Sequence, residues 1–212
     1  MNKFILALLV ALGHSGIAHG DSLAYTNDFE VAEVDSVPDG MMVLAGDFSV
    51  KSDGTNRFLE LPGAPLDSFA VQFGPGGKDL SVITRIRATK KGRRMPTFGV
   101  GLGGVSGWKL QVAPAKDAVE LLKDQETKAS VGYAWKSGEW VHLRLSIYQG
   151  ETGDWKITGK VWRSNETEPK MALISFTEKD EPVSGRASII ASPFSGMPIW
   201  FDDLVVEKSL AE

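Results

Sequence analysis

Residues 140–148 are the stretch that most constrains how this chain can fold. Four apolar side chains alternate with four others along it, in the order Val141, His142, Leu143, Arg144, Leu145, Ser146, Ile147 and Tyr148. Strict alternation of this kind is typical of a β-strand with one face in a core and the other facing outward. Glycine-containing turns bound the stretch, at 136–139 before it and at 149–154 after it. The pattern therefore predicts a central strand, beside or beneath which the other strands lie.

Shorter segments with strand-like patterns recur along the rest of the chain. We predict further strands at 46–51, 57–61, 69–73, 80–88, 97–103, 108–112, 119–123, 128–133, 155–163, 172–177, 185–191 and 198–207. Residues 115–128 also fit a helix, but Pro114 and the β-rich flanks favour a hairpin there. Strands of this length and spacing indicate one all-β domain, a two-sheet antiparallel β-sandwich of about a dozen strands.

The composition bounds the class of protein. With 212 residues, the chain can bury a full core in one domain without disulfides or a structural metal. Lys and Arg total 23 against 27 Asp and Glu, and the resulting net charge of −4 argues against general nucleic-acid binding. The chain has no cysteine, which excludes a disulfide framework, a thiol nucleophile and a zinc–cysteine site.

Residues 1–20 have the pattern of a cleaved export signal. Lys3 precedes a short apolar run at 4–12, and a small-x-small cleavage site ends at Gly20. A membrane anchor is the alternative, but this run is well short of the roughly 20 apolar residues that span a bilayer. We therefore expect a secreted or periplasmic protein with no membrane span after cleavage, whose folded domain is residues 21–212.

Five short motifs follow one another in a characteristic order. They are Asp-Phe-Glu at 28–30, Gly-Asp-Phe-Ser-Val at 46–50, Gly-Glu-Trp-Val-His-Leu-Arg-Leu at 138–145, Gly-Lys-Val-Trp-Arg at 159–163 and Phe-Asp-Asp-Leu-Val-Val at 201–206. In their order and spacing, the chain resembles the concanavalin A-like lectin/glucanase superfamily in its laminin G-like bacterial form. The resemblance implies a jelly roll of two antiparallel sheets, one of them concave, with the N- and C-terminal strands side by side. Such folds host lectins, glycosidases, lyases and interaction modules, so the fold alone does not give the function.

No set of catalytic residues emerges from the sequence. The glucanase branch of the superfamily carries its carboxylates as Glu-x-Asp-x-x-Glu, and retaining glycosidases need two carboxyls about 5 Å apart. The acidic stretches at 30–35 and 120–126 have other spacings, and no Gly-x-Ser-x-Gly elbow is present. A lyase with His142 or Tyr148 as base and Arg144 neutralising a uronate remains open. The chain also resembles secreted keto-disaccharide hydrolase domains, without a matching catalytic carboxylate.

A polar binding trough is the alternative that the strand pattern favours. With the apolar faces turned inward, the opposite faces present Arg85, Arg87, Lys109, Gln111, His142, Arg144, Tyr148, Lys160 and Trp162. Gly99 and Gly101 would give this trough a floor without side chains. Sugars stack on aromatic rings and hydrogen-bond to planar polar groups, and a basic trough in an acidic protein favours an anionic polysaccharide. Ordinary solvated strand faces would show the same residue types.

Two other features have less specific interpretations. Jelly rolls of the kind this chain resembles often hold a structural calcium near the terminal strands. Asp202 or Asp203, with Glu30 or Asp28, could supply oxygen ligands. The basic loop at 90–94 is too short and isolated for a nucleic-acid patch, and we expect a solvated turn.

The sequence therefore predicts non-catalytic recognition of a glycan or cell-surface polymer on the concave sheet. A polysaccharide-degrading or sugar-modifying enzyme, and a structural or protein-interaction module, are the alternatives.

Overall fold

Two antiparallel sheets make up the part of the chain that the computed structural model describes, residues 23–209. The predicted signal at 1–20 lies outside these residues. The strands are β1 Leu23–Asn27, β2 Met42–Ala45, β3 Ser49–Ser52, β4 Arg57–Leu61, β5 Phe69–Gly77, β6 Leu80–Arg87, β7 Thr97–Leu102, β8 Trp108–Ala113, β9 Ala118–Lys123, β10 Glu126–Gly132, β11 Trp140–Gln149, β12 Trp155–Arg163, β13 Ile174–Glu178, β14 Gly185–Ser192 and β15 Ile199–Lys208. A short 3-10 turn, Pro114–Lys116, separates β8 from β9.

The strand order in each sheet is not the order along the chain. Sheet A runs β13-β12-β11-β6-β15-β4-β3, and β1 also pairs with β15. Sheet B runs β10-β9-β8-β7-β14-β5-β2. The chain therefore crosses repeatedly between the sheets, as expected when two sheets enclose one core.

The core lies between the sheets and follows the alternation read from the sequence. Val141, Leu143, Leu145 and Ile147 of β11 are all buried in it. Across the core, β7 and β8 of sheet B contribute side chains in the same alternating way. Each buried aliphatic side chain contributes about 1.5–3 kcal/mol through removal of apolar surface from water. The strand prediction for 140–148 is confirmed.

The all-β sandwich and the jelly-roll expectation are confirmed. β1 lies beside β15, as the resemblance implied. The ambiguous stretch at 115–128 forms the hairpin of β9 and β10, not a helix. The sequence patterns missed β1 and β2, which precede the first predicted strand. None of the helical segments within 23–209 is long and apolar enough to cross a membrane.

Candidate functional site

The predicted trough is divided between the two sheets. Sheet A carries Arg85, Arg87, His142, Arg144, Tyr148, Lys160 and Trp162. Sheet B carries Gly99, Gly101, Lys109 and Gln111. Because the outer faces of the two sheets point away from each other across the core, these groups cannot line one surface. Alternation along each strand correctly separated inward from outward residues, but it carries no information about which sheet a strand joins.

On sheet A, two of the predicted cations are held by acids. Arg144 donates from Nη1 to Glu207 Oε1 at 2.6 Å and from Nη2 to Glu168 Oε2 at 3.3 Å. Lys160 Nζ donates to Glu168 Oε1 at 3.3 Å, and Lys160 is only 7% exposed. These ion pairs neutralise much of the positive charge that an anionic polymer would need on this face.

The other two cations of sheet A pack on aromatic rings. The guanidinium carbon of Arg85 lies 4.9 Å from the ring centroid of Trp140, and that of Arg87 lies 4.7 Å from the ring centroid of Trp200. Phe58 packs against both tryptophans, with centroid separations of 6.4 and 4.6 Å. Such cation–π contacts stabilise the arrangement, so both guanidiniums already have partners within the fold.

Asp202 is the buried partner of Arg85. Its Oδ2 accepts hydrogen bonds from Arg85 Nη2 at 2.6 Å and from Asn56 Nδ2 at 2.8 Å. Its Oδ1 accepts one from the backbone N–H of Asp203 at 2.8 Å. Burial raises the pKa of Asp202, although the hydrogen bonds from Asn56 and Arg85 act in the opposite direction. The carboxylate is thus satisfied by protein donors.

These surroundings do not fit the calcium site that the sequence analysis considered. Both oxygens of Asp202 face N–H donors, which occupy the positions of a cation. Glu30 accepts from the backbone N–H of Arg57 at 3.0 Å. Within residues 23–209, no three His, Cys, Asp or Glu side chains are grouped so that they could hold a metal ion. A calcium ion held by Glu30 and Asp202 remains an untested prediction, and these contacts argue against it.

His142 and Trp162 stack on each other on the outer face of sheet A. Their ring centroids are 5.1 Å apart with an interplanar angle of 10°, and Trp162 is only 9% exposed. Ser164 Oγ lies 3.1 Å from His142 Nε2, and burial lowers the pKa of His142. Tyr148 lies further along the same strand and is half-buried. Arg144, the cation that a lyase would use here, is held by the two acids described above.

A pocket of about 230 Å³ lies on the outer face of sheet B. Its polar side chains are Ser68, Thr97, Lys109, Gln111, Gln125 and Ser192. Val105, Leu122 and Ile190 contribute an apolar lining. We call this the sheet B pocket. Its volume is below the roughly 300–1,000 Å³ of pockets for drug-sized ligands, which suits a small ring better than a large ligand.

Two of the predicted glycines lie between the side chains of this pocket. Gly99 is in register between Gln111 on β8 and Ile190 on β14. A Cβ at position 99 would lie 2.1 Å from the carbonyl oxygen of Leu110. A Cβ on Gly101 would lie 2.6 Å from a serine hydroxyl of β14. Glycine is therefore required for the close approach of neighbouring strands, and it leaves the surface between the side chains open.

Lys109 is the predicted cation that stays available for a ligand. It is half-buried in the lining of the sheet B pocket. Within residues 23–209 it makes no ion pair or side-chain hydrogen bond, and no acidic side chain lines the pocket with it. An ammonium group beside an apolar wall and several amide and hydroxyl groups can bind an anionic, hydroxyl-rich ligand.

A buried carboxylate positions the neighbouring amide. Glu120 is only 3% exposed, and its Oε2 accepts from Gln111 Nε2 at 3.3 Å. Lys116 Nζ donates to Glu120 Oε1 at 2.9 Å, so the charge of Glu120 is compensated. The sequence spacing excludes Glu120 from a catalytic pair, and it does not indicate the support that Glu120 gives to Gln111.

Four further residues of the pocket, which were not among the predicted site residues, are Ser68, Thr97, Ile190 and Ser192. They meet because β14 inserts between β5 and β7 in sheet B. Ser68 Oγ and Ser192 Oγ are 2.9 Å apart, although the two residues are far apart in sequence. The strand pattern places Thr97 outward beside the inward Phe98, and it makes the outward position of Ile190 between Ile189 and Ala191 readable as well.

The architecture defines a concanavalin A-like jelly roll, and solved structures confirm this fold. A carbohydrate-binding module, CBM66, from Bacillus subtilis matches with a TM-score of 0.57 and 11% identity, over 79% of this chain and 95% of that chain. Lectin II from Ulex europaeus matches with a TM-score of 0.55 and 10% identity, over 90% of this chain and 100% of that chain. The carbohydrate recognition domain of Emp46p matches with a TM-score of 0.59 and 11% identity, over 89% of this chain and 98% of that chain. No protein-family model and no curated protein sequence matches the chain.

Proposed function

We propose that this protein binds carbohydrate without catalysis, in the sheet B pocket. The observation that carries the proposal is the ammonium of Lys109, which has no charge partner within residues 23–209, in a pocket that also offers hydroxyl groups, amides and an apolar wall. Sugars are bound through this combination of planar polar groups and apolar contact. The similarity in fold to a carbohydrate-binding module, a lectin and a carbohydrate recognition domain supports carbohydrate binding.

We further propose that the bound unit is anionic, such as a uronate in a polysaccharide or cell-surface polymer. Lys109 would pair with the acid group, while Gln111 and Thr97 would hydrogen-bond to ring hydroxyls. Lys109 is half-buried, so this charge–charge contact would be stronger than one in open solvent. Export to the periplasm or the exterior, proposed from the pattern of residues 1–20, would bring the protein to such polymers.

The lining of the pocket favours binding over hydrolysis. A retaining glycosidase needs two carboxyl groups about 5 Å apart, flanking the scissile bond. Glu120 is held by Lys116 and Gln111 beneath the surface, and within the described residues the pocket lining contains no acid. Non-catalytic recognition is therefore the better match to the site.

Titration with matched oligosaccharides tests the proposal. We would measure binding of oligogalacturonate and of the uncharged galactan oligomer by calorimetry, for the wild type, Lys109→Gln and Lys170→Gln. Lys170 is exposed, so the second variant carries the same charge change away from the pocket. We expect Lys109→Gln to weaken oligogalacturonate binding roughly tenfold or more, because a hydrogen bond to a charged group contributes about 1.5–3 kcal/mol.

The outcomes separate the parts of the proposal. If Lys109→Gln binds oligogalacturonate as the wild type does, Lys109 does not recognise the acid group. If neither oligomer binds the wild type, but a broad glycan array finds a neutral ligand whose binding Val105→Trp abolishes, the pocket is correct and the preference for anions is wrong. Release of shortened oligomers would refute the non-catalytic assignment.

A further inference from the structure

The loop between β6 and β7 is a tight hairpin whose tip is almost entirely cationic. Lys91 and Arg94 exchange two backbone hydrogen bonds, each 3.1 Å long. Gly92 has a φ of 61°, and Arg93 is not among the residues with positive φ, which is the pattern of a type II′ turn. Lys90 precedes the turn, and all five residues are exposed. The cations are thus presented on a defined backbone.

This geometry places like charges directly opposite each other. Lys91 and Arg94 form the cross-strand pair, and the side chains of such a pair lie on the same face with Cβ atoms roughly 5 Å apart. Like charges in this arrangement are destabilising. Within residues 23–209, neither of them, nor Lys90 or Arg93, forms an ion pair with an acid. The fold therefore contains an unfavourable charge arrangement that a bound anion would relieve.

A second turn brings another cation to the same end of the sandwich. The backbone N–H of Lys90 donates to Ser137 Oγ at 2.9 Å, and the N–H of Gly138 donates to the carbonyl of Ala88 at 2.8 Å. These bonds hold the turn that carries Lys136 against the base of the hairpin. The basic tip is defined here as Lys90, Lys91, Arg93, Arg94 and Lys136.

Two acids lie near the base of the tip and do not neutralise it. Glu139 is 3.9 Å from Lys136, at the limit of an ion pair, and both side chains are about half exposed. Asp117 lines a small pocket together with Lys90 but does not pair with it. Among the described residues, no acid forms an ion pair with the turn residues 91–94. The tip therefore keeps a net positive charge in a protein whose net charge is −4.

We propose that the basic tip is a second binding surface, which takes the sulfate, phosphate or carboxylate groups of a polyanionic polysaccharide. This surface is separate from the sheet B pocket, and the proposal does not rest on the function assigned to that pocket. Several cations on one rigid turn favour a ligand with repeated negative charges, because each contact releases counterions from the polymer. We expect binding to depend steeply on salt.

A flexible polymer suits this surface better than an anionic membrane. The tip has no apolar side chain at 90–94 that could enter a bilayer, whereas interfacial binding generally combines basic and apolar residues. A polysaccharide chain can contact the basic tip without contacting other parts of the protein. A broad anionic surface would also face the remainder of an acidic protein, which would repel it. The positive charge that complements an anionic ligand is thus confined to the basic tip.

Binding to dextran sulfate, with unsulfated dextran as the neutral control, tests this proposal. We would compare the wild type with the triple variant Lys91→Gln, Arg93→Gln and Arg94→Gln. The matched control is the triple variant Lys170→Gln, Lys179→Gln and Lys208→Gln, which removes three other exposed cations. At low salt we expect the tip variant to bind dextran sulfate at least about tenfold more weakly, with a shallower salt dependence, and the control to bind nearly as the wild type does.

Three results would overturn the proposal. One is an unchanged affinity in the tip variant; another is an equal loss in both triple variants, which would show an effect of net charge alone. The third is tighter wild-type binding to vesicles of equal parts phosphatidylcholine and phosphatidylglycerol than to dextran sulfate. Thermal unfolding of each variant checks that the exposed substitutions leave the fold intact. Oligogalacturonate binding by the tip variant reports separately on the sheet B pocket.

Discussion

Replacement of Trp162 distinguishes a structural from a ligand-binding role for sheet A. Trp162 points away from the core but is only 9% exposed, and it stacks on His142. Truncation of a buried tryptophan to alanine usually costs about 3–5 kcal/mol. We expect a value near 3 kcal/mol for Trp162→Ala, because the space on an outer face can fill with water. For a chain of this size, this corresponds to a fall of about 6–12 °C in melting temperature.

The assay combines thermal unfolding with calorimetric titration of oligogalacturonate. Phe194→Ala is the matched control, because this aromatic side chain is 44% exposed and its truncation should change the melting temperature much less. At temperatures where Trp162→Ala is folded, its affinity for the ligand should equal that of the wild type. A variant that kept the wild-type melting temperature but lost binding would place the ligand on sheet A and refute the reasoning.

Three further outcomes follow from the same structure. Gly99→Ala should lower the melting temperature strongly, because its Cβ would lie 2.1 Å from a backbone oxygen, whereas Gly132→Ala, with nothing within 4 Å, should have little effect. Glu178 bridges the sheets to Lys123 at 2.7 Å, and this hydrogen bond lowers the pKa of Glu178 below its ordinary value of 4.5. The stabilisation by the ionised Glu178 is therefore present above pH 4.5 and is lost as the pH falls through the lowered pKa. In denaturant unfolding, Glu178→Gln should be less stable than the wild type by about 1 kcal/mol near pH 7 and equally stable in stronger acid. Because the surroundings of Asp202 do not fit calcium, a chelator should leave the melting temperature unchanged, and a clear fall on chelation would contradict this.

The burial of Trp162 shows where sequence reasoning about a surface reaches its limit. Alternation along β12 correctly placed Trp162 and Lys160 on the outer face. It could not show that His142 on the neighbouring strand stacks on Trp162, or that Glu168 from the following loop pairs with Lys160. An outward-pointing side chain is exposed only if nothing distant in sequence covers it.

The sequence by itself determined which side chains point into the core and which point away. That division depends on the two-residue period of a pleated strand, which is a local property of the backbone. Gly99 and Lys109 were accordingly recognised as outward residues before their surroundings were known.

Only the tertiary structure decided which outward residues share a face. β14 inserts between β5 and β7, and β6 and β11 join the opposite sheet from β7 and β8. Strand partners are chosen by packing of the whole chain around one core, so positions remote in sequence meet, as Ser68 and Ser192 do. The same packing pairs Arg144 with Glu168 and Glu207, because a charge partner in the folded chain need not be near in sequence. It brings no acid of the described residues into an ion pair with Lys109.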